Sequence, residues 1–309
     1  MDFQARLNNI KGFQNLELLA SQVVEGFISG MHKSPFHGFS AEFAEHKVYN
    51  AGESTKHIDW KLYARTDKLY TKRYEEETNL RCHFILDASS SMHYPALESV
   101  SQQGLNKISF SALAIAAIIQ LMKKQRDAVG LSVFSESFDF FAPEKGGERH
   151  RHMLLLALNE AIITAQSPKK TNVASTLPLI AEKLKRRSLV FIFSDMLQNS
   201  PDEEALFGAL QHLKYKKHEV VLFHTIDKKT EQDFDYDNSP RRFTDVETGE
   251  QINVFADTIR EVYTDAATAY FDELKLRCAK YKVKYVPVDI RQSFAQILTT
   301  FLVERRQFL

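Results

Sequence analysis

Glycine is scarce in this 309-residue sequence, and the eleven present are badly spaced for nucleotide chemistry. No two have a single residue between them, which excludes the Gly-x-Gly turn of a dinucleotide-binding strand–helix unit. None precedes Lys and Ser or Thr as in a phosphate-cradling loop, and Gly-x-Ser-x-Gly, His-Glu-x-x-His and Cys-x-x-Cys are all missing. Cysteine is scarcer still. Cys82 and Cys278 lie far apart, one of them in an apolar run, so a disulfide scaffold is not expected. An excess of either charge is also lacking: 40 Lys and Arg face 40 Asp and Glu, which leaves no electrostatic footprint for DNA or RNA. The longest purely apolar run, residues 112–119, is less than half of what a bilayer crossing needs. The opening MDFQARLNNIKGF has no apolar core of the secretory kind, so the expectation is a soluble, cytoplasmic protein.

What is there is an ordinary globular composition, 44% hydrophobic and 26% charged, in a chain long enough for one or two domains. From about residue 82, short apolar runs alternate with amphipathic stretches. Residues 82–87 read as a buried strand ending in an acid. Ile108, Ala112, Ile115, Ile119 and Met122 recur at helical spacing and predict a helix over 107–126. Strands over 128–134 and 138–142 form a hairpin, followed by helices over 149–165 and 173–187. Residues 188–195 are a second apolar run closing on an acid, then come a helix over 203–217 and a strand over 219–226. Residues 228–256 interrupt this rhythm as a polar insertion, with Thr248 and Gly249 at the tip of a hairpin between 243–246 and 251–255. A helix over 257–281, a strand over 283–288 and a helix over 293–305 complete the chain. Strands alternating with helices imply an α/β fold, a doubly wound and mostly parallel sheet covered on both faces. The domain is expected to span 81–309, with 1–80 a small N-terminal α+β extension holding the only tryptophan, Trp60.

The sharpest chemical signal is Asp87, Ser89 and Ser91, placed just after a buried strand. Ligands of open α/β sheets collect at the carboxyl ends of the strands, near the point where strand order reverses. If the loop is extended, side chains alternate and these three face one side. Hard oxygens converging on a point suit Mg²⁺. Asp195 occupies the equivalent place after another buried strand, and Thr171 opens the helix between them. The competing reading is structural: Ser and Asp satisfying orphan amides at a helix start.

These five residues resemble the metal-ion-dependent adhesion site of von Willebrand factor type A domains. The N-terminal segment adds a more specific resemblance. Residues 49–53 (YNAGE), 58–61 (IDWK), Ala64 and Arg65, 73–77 (RYEEE), 244–250 (TDVETGE) and Tyr263 resemble the bacterial family called domain of unknown function 58. The resemblance implies a Rossmann-like, von Willebrand factor A-like sheet holding one Mg²⁺ or Mn²⁺. Ser89 and Ser91 would ligate it directly, Thr171 directly or through water, and Asp87 and Asp195 mostly through waters. It also implies a non-enzymatic interaction module that takes a carboxylate from a partner protein and works with a MoxR-type AAA+ ATPase in assembly or maturation. Two departures stand out: Lys169 and Lys170 precede Thr171 where relatives carry glycines, and Glu53 stands where an aspartate is usual.

The alternative reading is a metal-dependent phosphoester hydrolase using Asp87 and Asp195. Asp87 resembles the strand-end aspartate of haloacid-dehalogenase phosphatases, but those need an acid two residues on, and Ser89 stands there. The cluster over 149–152 is expected to be a solvated first helical turn. Trp60 is expected to fill a gap and Arg65 to pair with an acid. Asp227 is expected at the same rim but outside the metal's ligands.

Overall fold

The computed structural model describes residues 16–31, 45–48, 60–73, 80–95, 105–125, 127–135, 138–163, 173–185, 187–196, 203–244 and 249–308. The chain divides into a smaller unit, Ile28–Asn79, and a larger one that runs from Leu80 to Leu309 and takes in residues up to Phe27. Helix α1 (Leu16–Met31) buries Leu16, Leu19, Ala20, Val23 and Val24, one apolar stripe at helical spacing. In the smaller unit, β1 (Glu45–Val48) precedes α2 (Trp60–Thr66) and pairs antiparallel with β2 (Tyr70–Arg73), Glu45 opposite Arg73. Trp60 does not fill a gap: it is 62% exposed, its indole meeting Tyr63 edge-on. Residues 49–59 and 74–79, which carry much of the family resemblance, lie outside the described residues.

The larger unit begins with β3 (Arg81–Asp87), a 3-10 turn (Ser90–His93), α3 (Lys107–Gln125), β4 (Ala128–Phe134) and β5 (Phe138–Lys145). It continues through α4 (Glu148–Ile163), α5 (Val173–Lys183), β6 (Leu189–Ser194), α6 (Glu203–Tyr215) and β7 (Glu219–Ile226). A π turn (Lys228–Gln232) and the hairpin β8 (Pro240–Thr244) and β9 (Gln251–Phe255) form the insertion. Then come α7 (Ala256–Lys280), β10 (Lys284–Asp289) and α8 (Ala295–Phe308).

Six strands make one sheet in the order β10-β7-β6-β3-β4-β5, parallel except for β5, which returns antiparallel beside β4. After β3 the chain builds outward through β4 and β5, then crosses back to lay β6 on the other side of β3. The switch point is therefore the crevice between β3 and β6, where ligands of such sheets collect.

Both faces of the sheet are covered, which is why its central strands are apolar throughout. On one face Phe84, Phe191 and Phe223 stack across three strands, and Phe301 of α8 closes on Phe191. On the other, Ile85, Val190, Ile192 and Leu222 pack with Leu177 and Ile180 of α5, Leu210 of α6, and Leu274 and Cys278 of α7. Helix α3 is apolar on nearly every side and is buried accordingly. Cys82 and Cys278 are both free and buried. The hairpin of the insertion starts earlier than its sequence pattern suggests. Phe243 stacks on Phe234 and meets Tyr236 edge-on, which draws the strand back to Pro240.

A buried polar group crosses β3, β4 and β5. His83 Nδ1 lies 2.9 Å from Glu144 Oε1, and its Nε2 lies 2.7 Å from Ser132 Oγ. The order hydroxyl–imidazole–carboxylate is that of a nucleophilic triad, but all three residues are buried inside the sheet, which makes it a structural brace. Gly130 lies against it: a Cβ there would stand 2.4 Å from His83 Nδ1 and 2.9 Å from the Ala142 carbonyl oxygen.

Two stability measurements follow from these contacts. Gly130→Ala should lower the unfolding free energy by about 1–3 kcal/mol through overpacking, read from the urea midpoint. His218, just before β7, accepts the Ser188 N–H on Nδ1 at 3.2 Å, and burial holds its imidazole below the ordinary histidine value. The folded state resists a proton that the unfolded chain accepts, so stability is full above about pH 6.5 and declines as pH falls below it. His218→Asn, which keeps an acceptor near Nδ1, should flatten part of that decline between pH 7.5 and 5.5.

Candidate metal centre

The register of the sheet assembles the centre. Leu86 pairs with Phe193, so Asp87 at the end of β3 stands beside Ser194 at the end of β6. Ser194 Oγ donates to Asp87 Oδ2 at 2.7 Å and in turn accepts the Met196 N–H at 3.0 Å. Asp87 Oδ1 accepts the Ser89 N–H at 2.9 Å. Asp87 is fully buried, and its donors among the described residues, Ser194 and Ser89, are neutral. Burial, and then the charge of Asp195, push its carboxyl up to about 7 against the opposing pull of the Ser194 and Ser89 hydrogen bonds.

Ser89 and Ser91 converge, though not through an extended loop. The chain enters the 3-10 turn at Ser89, and that turn brings the two hydroxyls to 3.1 Å from one another. Ser89 Oγ makes no capping bond to the turn it precedes; the local amide is satisfied by Asp87 instead. The loop thus satisfies Asp87 Oδ1 through the Ser89 amide, and the Ser89 hydroxyl meets Asp87 and Ser91 rather than the turn it precedes. Two adjacent ligands on an octahedral Mg²⁺ with bonds of 2.0–2.1 Å stand about 2.9 Å apart. The serine pair is close to that spacing, and the donors are hard oxygens throughout.

Asp195 is buried directly after β6, and its loop is fixed from three sides. His224 Nε2 donates to the Asp195 carbonyl oxygen at 2.8 Å while its Nδ1 accepts from Tyr285 Oη at 2.7 Å. Burial lowers this imidazole to about 4, so it is neutral at pH 7, as that pairing requires. Tyr270 Oη donates to the Met196 carbonyl oxygen, and Met196 itself takes a positive φ of 51°. Thr171, the fifth expected ligand, lies outside the described residues, as do Lys169 and Lys170.

Lys107 was not legible as a site residue. It is the first residue of α3, fully buried, and its Nζ donates to Asp195 Oδ2 at 2.7 Å and to Glu231 Oε1 of the π turn at 2.5 Å. Burial alone would lower its ammonium, but the Asp195 and Glu231 charges outweigh that and hold its pKa above the ordinary lysine value. Glu231 Oε2 accepts the Asp227 N–H at 2.7 Å, which seats the π turn. Asp227 is buried at the same rim, and both its carboxylate oxygens accept from Arg291, each at 2.7 Å. One signal for Lys107 does exist in the sequence: a cation opening an otherwise apolar helix opposes the helix dipole and needs acids nearby. Ser194 carried no comparable signal, since it reads as one more residue of an apolar strand.

No cluster of three His, Cys, Asp or Glu side chains poised around an ion is present among the described residues. The set found here is of another kind, carboxylate and hydroxyl oxygens at the switch point of a doubly wound sheet. A fold and rim of this sort define a Rossmann-like α/β domain with an oxygen-lined site. The model of the family described as protein of unknown function DUF58 matches residues 45–271, and the chain belongs to that family. It is similar to the uncharacterized protein Rv1480 of Mycobacterium tuberculosis, 22% identical over 184 residues, which is 60% of this chain and 56% of that protein. The chain thus matches little more than half the length of this relative. Among solved structures it is similar to the conserved hypothetical protein BatB from Bacteroides thetaiotaomicron (15% identity, 73% of this chain and 98% of that one, TM-score 0.45). It is also similar to the SpRpn10 VWA domain (10% identity, 72% and 94%, TM-score 0.36). No helix among the described residues is long and apolar enough to cross a membrane.

Lys107→Met would remove the ammonium that Asp195 and the largely buried Glu231 share, and should destabilise the fold by about 3–5 kcal/mol. Adding Glu231→Gln should return part of that loss, because one of the two charges that shared it is then gone. Urea unfolding of the two variants beside the parent measures both steps.

Proposed function

We propose that this chain is a protein-interaction module, not a catalyst, whose rim site binds one divalent cation, Mg²⁺ or Mn²⁺, and offers it to a carboxylate of a partner protein. The observation that supports this most is Asp87: a fully buried carboxyl, beside a second carboxylate, whose donors among the described residues are neutral. Buried charges in proteins are paired or coordinate metals, and a cation at this point would supply the missing counter-charge. Ser89 and Ser91 would hold it, with Asp87 and Asp195 as the acids of the site and Thr171 as the remaining donor. The bound ion would supply a Lewis-acidic contact for a carboxylate, while the chain's own hydrogen bonds hold Asp87 and the Asp195 loop in place beforehand. Following the family resemblance, a MoxR-type AAA+ ATPase is the first partner to test, and the cytoplasm the compartment.

The hydrolase reading gains nothing from this geometry. Of the basic side chains described here, the Lys107 ammonium is committed to two acids, and the His224 imidazole is committed to a backbone carbonyl and a tyrosine. Neither is placed to activate water.

Calorimetric titration with Mn²⁺ tests the cation. One ion per chain is expected, with affinity reduced about tenfold or more in Ser89→Ala/Ser91→Ala while thermal unfolding in chelator stays unchanged. Affinity purification from the native cell, in Mg²⁺ and then in chelator, should recover a partner only in the first. A partner held equally in both would end the proposal.

A further inference from the structure

Next to the candidate centre, the insertion and the end of β10 enclose a cleft of about 500 Å³ lined by Lys229, Thr230, Tyr236, Arg241 and Arg291 together with two aspartates. Its cations are held in place but keep donors to spare. Arg291 commits Nε and Nη2 to the buried Asp227, which leaves the Nη1 edge of a half-exposed guanidinium outside that pair. Arg241 pairs through Nη2 with Asp237 and lies 5.3 Å from the centre of the Tyr236 ring. Its Nε is shielded from solvent, with no hydrogen-bond partner among the described residues. Lys229 Nζ is 3.6 Å from Asp235 Oδ2, an ion pair too long for a hydrogen bond. The cationic groups that do face solvent, on the half-exposed side chains of Arg291, Arg241 and Lys229, are the ones an oxyanion seated here would meet.

The charge balance narrows the ligand. Against three cations the lining sets Asp235 and Asp237, with Asp227 beneath Arg291, so the cleft has no large positive surplus to draw a polyanion. What it has is directional donation, which suits a single carboxylate. It is also wired to the metal centre: Arg291 holds Asp227, the Asp227 N–H holds Glu231, and Glu231 shares Lys107 with Asp195.

We propose that this cleft is a second carboxylate subsite, which takes an acidic side chain from the same partner segment whose first carboxylate meets the metal centre. The partner is then a protein presenting at least two acidic residues close together. This extends the partner-carboxylate reading above, and the test separates the two.

The full chain is titrated calorimetrically with tetraglutamate and with tetraglutamine, in Mg²⁺ and in chelator. The variants are Lys229→Gln/Arg241→Gln and Ser89→Ala/Ser91→Ala. The side chains of Lys229 and Arg241 are 52% and 40% exposed, so their loss should leave the melting curve in place. Tetraglutamate should bind and tetraglutamine should not, and the Lys229→Gln/Arg241→Gln variant should bind about tenfold more weakly in either buffer. Binding untouched by that variant overturns the cleft proposal. If such binding still disappears in chelator and in the serine variant, the metal reading stands without the cleft. Binding that ignores chelator and the serine variant but falls with Lys229→Gln/Arg241→Gln supports the cleft and removes the metal reading. Inorganic phosphate displacing tetraglutamate at equal concentration would assign the cleft to phosphate and overturn the carboxylate assignment.

Discussion

A buried carboxyl with no counter-charge among the described residues is the constraint around which the rim is organised. Asp87 sits fully enclosed at the end of β3, where the parallel sheet fixes its position and its neighbours. Carboxylates are tolerated in such places only with strong partners. Among the described residues the chain supplies Ser194 and Ser89, and both are neutral. Asp195, one residue beyond Ser194, adds a second acid whose own ion pair is with Lys107. The interior thus compensates one acid with an ammonium and leaves the other to be met by a proton or a cation. A protein selected for stability alone would have placed an amide or an apolar residue at position 87.

The legible part of the fold is the part carried by periodicity. Central strands such as 82–87 and 188–195 showed themselves as apolar runs because both faces of the sheet are covered, and the observed β3 and β6 agree with them to within a residue. Helices such as α3 and α7 were legible by spacing, because burial on one side or all round leaves a regular signature. The π turn left none. Lys228–Gln232 is polar throughout, and what shapes it is the reach of the Glu231 carboxylate to Lys107 and to the Asp227 amide, which no local pattern encodes. Trp60 shows the opposite failure. A lone tryptophan suggests a packed interior, but an amphipathic ring on a short helix can equally lie on the surface, as here.

For the candidate site, the residues read from sequence were those whose position relative to a strand end is itself informative. Asp87, Ser89, Ser91 and Asp195 follow apolar runs, and ligands gather at the carboxyl ends of parallel strands, which is what made them candidates. Convergence of the serines was expected from strand-like alternation and arises from a 3-10 turn instead, which brings Oγ atoms two positions apart to one side. Lys107, Ser194, Glu231 and His224 were harder because each acts across a long sequence separation. The Lys107–Glu231 bond spans 124 positions and the Ser194–Asp87 bond 107. Pairs this distant are specified by topology, and a single sequence states topology only after the strand order is known.

The rim separates charge by depth, and depth decides what each half can contribute to binding. Inside, between β3 and β6, unit charges interact in a low effective dielectric, so gaining or losing one cation there changes the free energy by several kcal/mol. Outside, Lys229 and Arg241 sit in water beside their own aspartates, where a single pair contributes about 1 kcal/mol or less and salt screens it. An acidic partner would therefore draw most of its affinity from the inner centre, and orientation and encounter rate from the outer cleft. The Asp227–Arg291 pair stands at the boundary between them, with a buried carboxylate and a half-exposed guanidinium. The backbone N–H of the same aspartate donates to Glu231. Any shift of Arg291 toward a ligand would loosen the acid that seats the π turn, and through Glu231 the second hydrogen bond of Lys107. The insertion is thus mechanically part of the centre, although no residue of it follows a strand end that sequence alone would single out.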